Sequence, residues 1–210
     1  FILGGAKADD SLEISKYVLD NKIADYVLTG GVVGQVFLAA KGTDLGKPNM
    51  EFLKQQKLMD LLPGIKELEQ KYPQKIKVPK DIAVEVNGKR KEIPVEKLPT
   101  NCSVFDIGAK TAEDYGRIIR NAKTIVVSGP MGVYENSEFS FGTKRILKEI
   151  ANSKAYSLAG GGHTIGALQE FKLSNKISYV STAGGALIEF LMGKKLPGVT
   201  ALERVATRKT

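Results

Sequence analysis

Cysteine is nearly absent: Cys102 is the single one in 210 residues. An internal disulfide is excluded and a reducing compartment is implied, so a cytoplasmic location is expected. No partner is positioned near Cys102 in sequence, and it reads as a packing residue beside a strand rather than as a reactive thiol. No apolar run approaches about 18 residues and no leader pattern opens the chain, which argues against a membrane protein or a secreted one. Also missing are the aromatic pattern of an RNA-recognition sheet and the signature of a helix-turn-helix. The net charge of +8 favours anionic partners, but without those motifs no nucleic-acid partner is expected. Histidine occurs once, at His163.

What the chain has instead is a repeated pattern of short apolar run, glycine turn and helical stretch. It is clearest at Thr124 to Glu135, where a β-branched run of buried-strand type stops at Ser128-Gly129-Pro130. Gly129 and Gly132 let backbone approach a ligand, Pro130 stiffens the turn, and Glu135 places a carboxylate suited to a ribose a few residues past the strand end. Glycine pairs or triplets close similar runs at Leu3-Gly4-Gly5-Ala6-Lys7, Thr29-Gly30-Gly31, Gly160-Gly161-Gly162-His163-Thr164 and Ser181-Thr182-Ala183-Gly184-Gly185-Ala186. Repeated units of this kind imply an α/β fold: a Rossmann-like, mostly parallel sheet of about six strands with helices on both faces, its turns gathered at the carboxyl ends of the strands. An anion or nucleotide cleft follows, because free amides and helix N-termini both attract phosphate.

Taken in order, a strand at Phe1–Leu3 leads to a helix from about Ser11 to Asn21 capped by Asp9 or Asp10. A second strand at Ala24–Thr29 precedes a helix to about Ala40. Asn49 to Tyr72 reads as helical with a break at Pro63-Gly64. A third strand spans Lys75–Val78. Asn87-Gly88 between alternating runs marks a small β-hairpin near residues 81–95, outside the parallel sheet, and its Lys89-Arg90-Lys91 tip reads as a solvated edge guard. Ser103–Ile107 is placed in the parallel sheet, followed by a helix opened by a capping box at Thr111-Ala112-Glu113-Asp114. Lys110 either reaches a phosphate across the cleft or faces water at a helix start. Further strands are expected at Thr124–Val127, Ala155–Ala159 and Ile177–Ser181.

These motifs, together with Asp106-Ile107-Gly108-Ala109-Lys110-Thr111, resemble in order the nucleotide-binding half of phosphoglycerate kinases, from Phe1 to about Leu202. Each motif alone is weak; the ordered set is specific. The resemblance implies one nucleotide-binding domain over 1–202, a basic tail over 203–210 that includes Arg204, Arg208 and Lys209, and a whole domain preceding Phe1 that carries the phosphoglycerate site. It implies ADP/ATP with Mg²⁺ as ligands and phosphoryl transfer with 1,3-bisphosphoglycerate or 3-phosphoglycerate held by that other domain. Lys7, Gly162 and Gly185 are then the groups facing the transferred phosphoryl. Nucleotide contacts are implied at Gly5, Ala6, Lys7, Gly30, Gly31, Gly108, Ser128, Pro130, Gly132, Val133, Glu135, Gly161, Gly162, His163 and Thr164, with Gly30-Gly31 admitting a flat adenine ring. No residue is assigned as a metal ligand.

Three positions depart from the family pattern. Ser11 stands where most members carry a second lysine, leaving either another cation to substitute or a slower transfer. Ser128 replaces the common asparagine with a shorter hydroxyl. His163 stands where the family usually has the aspartate that holds magnesium. Imidazole is a poor ligand for that hard cation, so His163 contacts phosphate, packs at the helix end or ligates metal directly; histidine here resembles archaeal members. The alternative is a NAD-dependent dehydrogenase of Rossmann type, but Leu3-Gly4-Gly5-Ala6-Lys7 lacks the G-x-G-x-x-G spacing and Thr29-Gly30-Gly31 supplies no ribose-binding acid.

Overall fold

In the computed structural model, which describes residues 1–207, side chains from neighbouring positions of each buried strand enter two different cores. Leu3 of β1 (Ile2–Leu3), Val27 of β2 (Val27–Thr29) and Val126 belong to one; Ile2, Leu28, Ile125 and Val127 belong to the other. That is the period-two alternation of a sheet covered on both faces. The first core is closed by α1 (Ala8–Asp20), α2 (Gly31–Ala40), α3 (Lys47–Gln55) and α4 (Leu62–Lys71). Chain order continues with β3 (Ile76–Lys77), β4 (Asp81–Val86), β5 (Lys89–Pro94) and β6 (Val104–Ile107). The second core is closed by α5 (Ala109–Asn121), then, after β7 (Thr124–Ser128), by α6 (Phe141–Asn152) and, after β8 (Tyr156–Gly160), by α7 (Gly162–Glu170). The described chain ends with β9 (Tyr179–Val180), α8 (Gly185–Leu191) and α9 (Pro197–Thr207).

The main sheet has the order β3-β2-β1-β7-β8-β9, with every neighbouring pair parallel. Strand order reverses between β1 and β7, and the crevice at the carboxyl ends of those two strands is where doubly wound sheets bind ligands.

The hairpin forms about Asn87-Gly88, with both turn residues at positive φ. The structure corrects the placement of Ser103–Ile107, since β6 pairs antiparallel with β4 and completes a separate sheet of order β5-β4-β6. Periodicity marks a short buried strand without saying which sheet it joins. The expected capping box is also corrected. Thr111 lies inside α5, where its amide and hydroxyl donate to the Asp81 carboxylate at 2.7 and 2.5 Å, so a residue 30 positions away caps the helix. Helix α1 starts at Ala8 with Lys7 at its cap position and no side-chain cap bond; Asp9 and Asp10 fall in its first turn, where their charge suits the dipole. The helical stretch around Leu58 breaks at Lys57, which has φ 57°, rather than at Pro63. Pro63 occupies the first turn of α4, where its missing N–H is not needed. Helix α9 runs across the boundary at 202, and Arg208 and Lys209 of the basic tail lie outside the described residues. No helix among the described residues is long and apolar enough to cross a membrane.

Candidate functional site

The carboxyl ends of β1, β2 and β7 are drawn together by loops that touch backbone to backbone. Gly4 N–H donates to Ser128 O (2.8 Å), Gly5 N–H to Pro130 O (2.7 Å) and Gly31 N–H to Met131 O (2.8 Å). A Cβ on Gly4 would stand 2.2 Å from Pro130 O, one on Gly129 2.1 Å from Gly4 O, and one on Gly30 2.5 Å from the Met131 sulfur. These glycines are therefore demanded by the approach of one loop to another. At Gly30 and Gly31 the direction a Cβ would take points to Met131, Pro130 and Gly5.

Two threonine hydroxyls then fix the loop after β7. Thr164 Oγ1 accepts from Gly129 N–H at 2.7 Å, and Thr143 Oγ1 accepts from Met131 N–H at 3.0 Å. Both side chains are buried, and they tie the loop to the first turns of α7 and α6.

Beside this assembly lies a cleft of about 550 Å³. It is lined by Gly5, Ala6, Lys7, Asp10 and Ser11 from the start of α1, by Ser128, Gly129 and Pro130, by Gly161, Gly162, His163 and Thr164, by Gly184 and Gly185, and by Glu189 and Lys194. A Cβ on Gly162, Gly184 or Gly185 would meet nothing within 4 Å. These glycines open on free space, unlike Gly4, Gly30 and Gly129. The opening amides of α7 have no preceding turn to bond and form an electropositive wall suited to phosphate. A larger groove of about 1250 Å³ lies at the opposite end of the strands, around Tyr26, Lys75 and Thr124, remote from the glycine loops.

Lys7 is well exposed, with its ammonium 3.9 Å from Asp10. Burial and the neighbouring Asp9 hold the Asp10 carboxyl above its usual range against the pull of Lys7. The hydroxyl of Ser11 is closed on Lys7 O at 3.0 Å and the residue is buried, so it is not free to donate to a phosphate. Lys194 stands in the same cleft, its ammonium 2.9 Å from Glu13; that hydrogen bond holds its pKa above the ordinary lysine value. His163 Nδ1 lies 3.3 Å from Glu135 Oε1, both side chains largely exposed, which joins the expected ribose carboxylate to the rim of the cleft.

The remaining expected residues are dispersed. Val133 is exposed, and its amide donates to Phe105 O at 2.8 Å. Gly132 is pressed on buried Asp106, whose Oδ1 would be 2.3 Å from an added Cβ. Gly108 caps α5 against Asp81 and is not brought to the cleft lining; Lys110 likewise gives its amide to Asp81. Sequence reasoning missed Lys194 and Asp10 as cleft residues, Thr143 as a clamp and Asp106 as a support. The signal nearest to a clue was Gly193-Lys194, a glycine at positive φ directly before a lysine.

A phosphoglycerate kinase family model matches residues 1–194. The chain belongs to the phosphoglycerate kinase family. Phosphoglycerate kinase of Methanothermus fervidus is 43% identical over 208 residues, covering 99% of this chain and 50% of that protein. That of Methanothermobacter thermautotrophicus is 44% identical over 203 residues, covering 97% and 49%. The chain thus spans about half the length of the curated phosphoglycerate kinases it matches. The crystal structure of phosphoglycerate kinase from Pyrococcus horikoshii superposes with a TM-score of 0.91 at 42% identity, over 96% of this chain and 51% of that one. The enzyme from Coxiella burnetii gives 0.86 at 34%, over 98% and 52%. Every cleft residue named above falls inside the phosphoglycerate kinase match.

Proposed function

We propose that this chain is the nucleotide-binding half of a phosphoglycerate kinase and holds ADP or ATP for reversible phosphoryl transfer between 1,3-bisphosphoglycerate and ADP, giving 3-phosphoglycerate and ATP in glycolysis and gluconeogenesis. The observation that carries this reading is the convergence at the β1/β7 crevice of Lys7, the opening amides of α7 and the open glycines Gly162 and Gly185 on one cleft. Phosphoryl transfer asks little covalent chemistry of a protein, and charge neutralisation with positioning suffices. In this reading the wall at Gly161–Thr164 and Lys7 bind the phosphates, Glu135 takes the ribose, and the phosphoglycerate comes with the other half of the relatives' length. The dehydrogenase alternative has no support in the family match or in these relatives.

Magnesium fits this arrangement as a companion of the nucleotide. Among the described residues no three His, Cys, Asp or Glu side chains converge on a metal-sized site, and Mg²⁺ commonly binds through one or two carboxylates plus substrate phosphates without a protein cage. Asp10 and Glu189 line the cleft and Glu135 stands at its rim beside His163, whereas the His163 imidazole is too soft a donor to lead. When bound, the ion neutralises phosphate charge.

Calorimetric titration with ADP and ATP, with and without Mg²⁺, tests the reading. Saturable binding is expected, weakened roughly tenfold to a hundredfold in Lys7→Ala, the loss of one charge-assisted contact to phosphate. Turnover by this chain alone is expected to be negligible. Tight NAD binding with indifference to MgADP, or no nucleotide binding at all, would overturn it.

A further inference from the structure

The cleft contains a second cation. Lys194 lines it opposite the α1 loop, and its position is built into the fold. Gly193, at φ 74°, seats on Tyr17 of α1 so closely that an added Cβ would lie 2.1 Å from the ring. The Lys194 amide donates back to Glu189 O at 2.9 Å, and the ammonium meets Glu13 Oε2 at 2.9 Å. The turn after α8 is thereby fixed on α1, one helical turn beyond Asp10. Burial and Asp9 hold the Asp10 carboxyl above its ordinary value, and both Lys7 and Lys194 pull against that shift.

We propose that Lys194 is a phosphate-binding residue of this cleft, exchanging Glu13 for the phosphate chain of the ligand. The inference rests on the nucleotide reading above and adds to it a residue and a role. A di- or triphosphate brings several negative charges, and Lys7 with the α7 amides leaves part of them unmatched. Ser11 supplies no help, since its hydroxyl is already bonded to Lys7 O. The parking contact is weak: Lys194 and Glu13 have side chains 53% and 58% exposed, and water screens pairs of that kind. A phosphate oxygen offers the same ammonium a stronger partner.

The test is calorimetric titration of the 210-residue chain with adenosine, ATP and pyrophosphate, in the wild type, Lys194→Met, Lys194→Arg and Glu13→Gln. Lys194→Met is expected to weaken ATP and pyrophosphate about tenfold while leaving adenosine within about twofold. Lys194→Arg should recover most of that loss, and Glu13→Gln, which frees the ammonium, should tighten ATP two- to threefold. Equal loss for adenosine and ATP would show a structural residue, and unchanged ATP affinity would show a rim ion pair only; either overturns the proposal. A wild type that binds pyrophosphate but neither ATP nor adenosine overturns the nucleotide reading and leaves Lys194 to the same comparison on pyrophosphate. A wild type that binds none of the three overturns both.

Discussion

Gly129→Ala is expected to destabilise the chain by about 2–5 kcal/mol, whereas Gly162→Ala should leave stability unchanged or raise it by up to about 1 kcal/mol. Both residues sit in the glycine loops of the cleft, and sequence alone gives no reason to separate them. The structure does. At Gly129 a methyl group would stand 2.1 Å from Gly4 O and 2.3 Å from Gly4 C, both backbone atoms of a buried strand end, and the residue has φ 86°. Left-handed backbone costs an alanine about 1–2 kcal/mol and forced overpacking about 1–3 kcal/mol more. Gly162 is the first residue of α7, and its methyl group would meet nothing within 4 Å. The helix tolerates it; a ligand phosphate lying against that backbone does not. Thermal denaturation should therefore show a large loss for Gly129→Ala, about 10 °C in melting temperature at about 2–4 °C per kcal/mol, and none for Gly162→Ala. Calorimetry should show weaker ATP binding for Gly162→Ala. Gly129→Ala with native stability would mean that the two loops are not in contact.

That contrast marks how far the sequence could be read. The strand, glycine and helix units were legible because β-branched runs such as Thr124–Val127 are short and end on residues with distinctive backbone freedom. The parallel sheet followed from their repetition. Which glycine serves packing and which serves a ligand depends on contacts between loops more than 100 residues apart, as between Gly4 and Pro130, and no local pattern reports those. The same limit hid Asp81 as the cap of α5, and it placed β6 in the wrong sheet, because a four-residue apolar run carries no information about its partner. Ser11 was recognised as a departure, but the hydroxyl's capture by Lys7 O and the arrival of Lys194 from the far end of the chain are tertiary facts. The Asp106-Ile107-Gly108 motif was noticed for its glycine, while its aspartate proves to hold the loop that bears Glu135.

Removing the Asp106 carboxylate should be among the most damaging changes outside the cleft. Its side chain is fully buried, and Oδ2 accepts from Arg90 Nη1 and from Gly142 N–H, each at 2.7 Å. Arg90 also donates to Ile107 O and Glu92 and lies 4.9 Å from the centre of the Phe141 ring, so the pair fastens the β4–β5 hairpin to β6 and to the start of α6. Among the described residues Oδ1 has no hydrogen-bond partner, and it presses on Gly132 and Gly142. Asp106→Ala strands a largely buried guanidinium and an amide, at a cost of about 3 kcal/mol, the low end for broken buried pairs because Arg90 keeps two partners. Asp106→Asn preserves the shape and isolates the charge. Burial pushes the Asp106 carboxyl up to about 6 against the Gly142 amide and Arg90. Between the unfolded value, about 3.9, and 6 the folded chain binds the extra proton, so this group's contribution to stability falls as pH rises through that window. Relative to Asp106→Asn, the wild type should therefore gain roughly 2 kcal/mol between pH 7 and pH 4.5 in urea denaturation, since the other carboxylates titrate alike in both chains. A difference independent of pH would show that Arg90 and the Gly142 amide fully offset burial, keeping Asp106 an ordinary ionised carboxylate throughout that range.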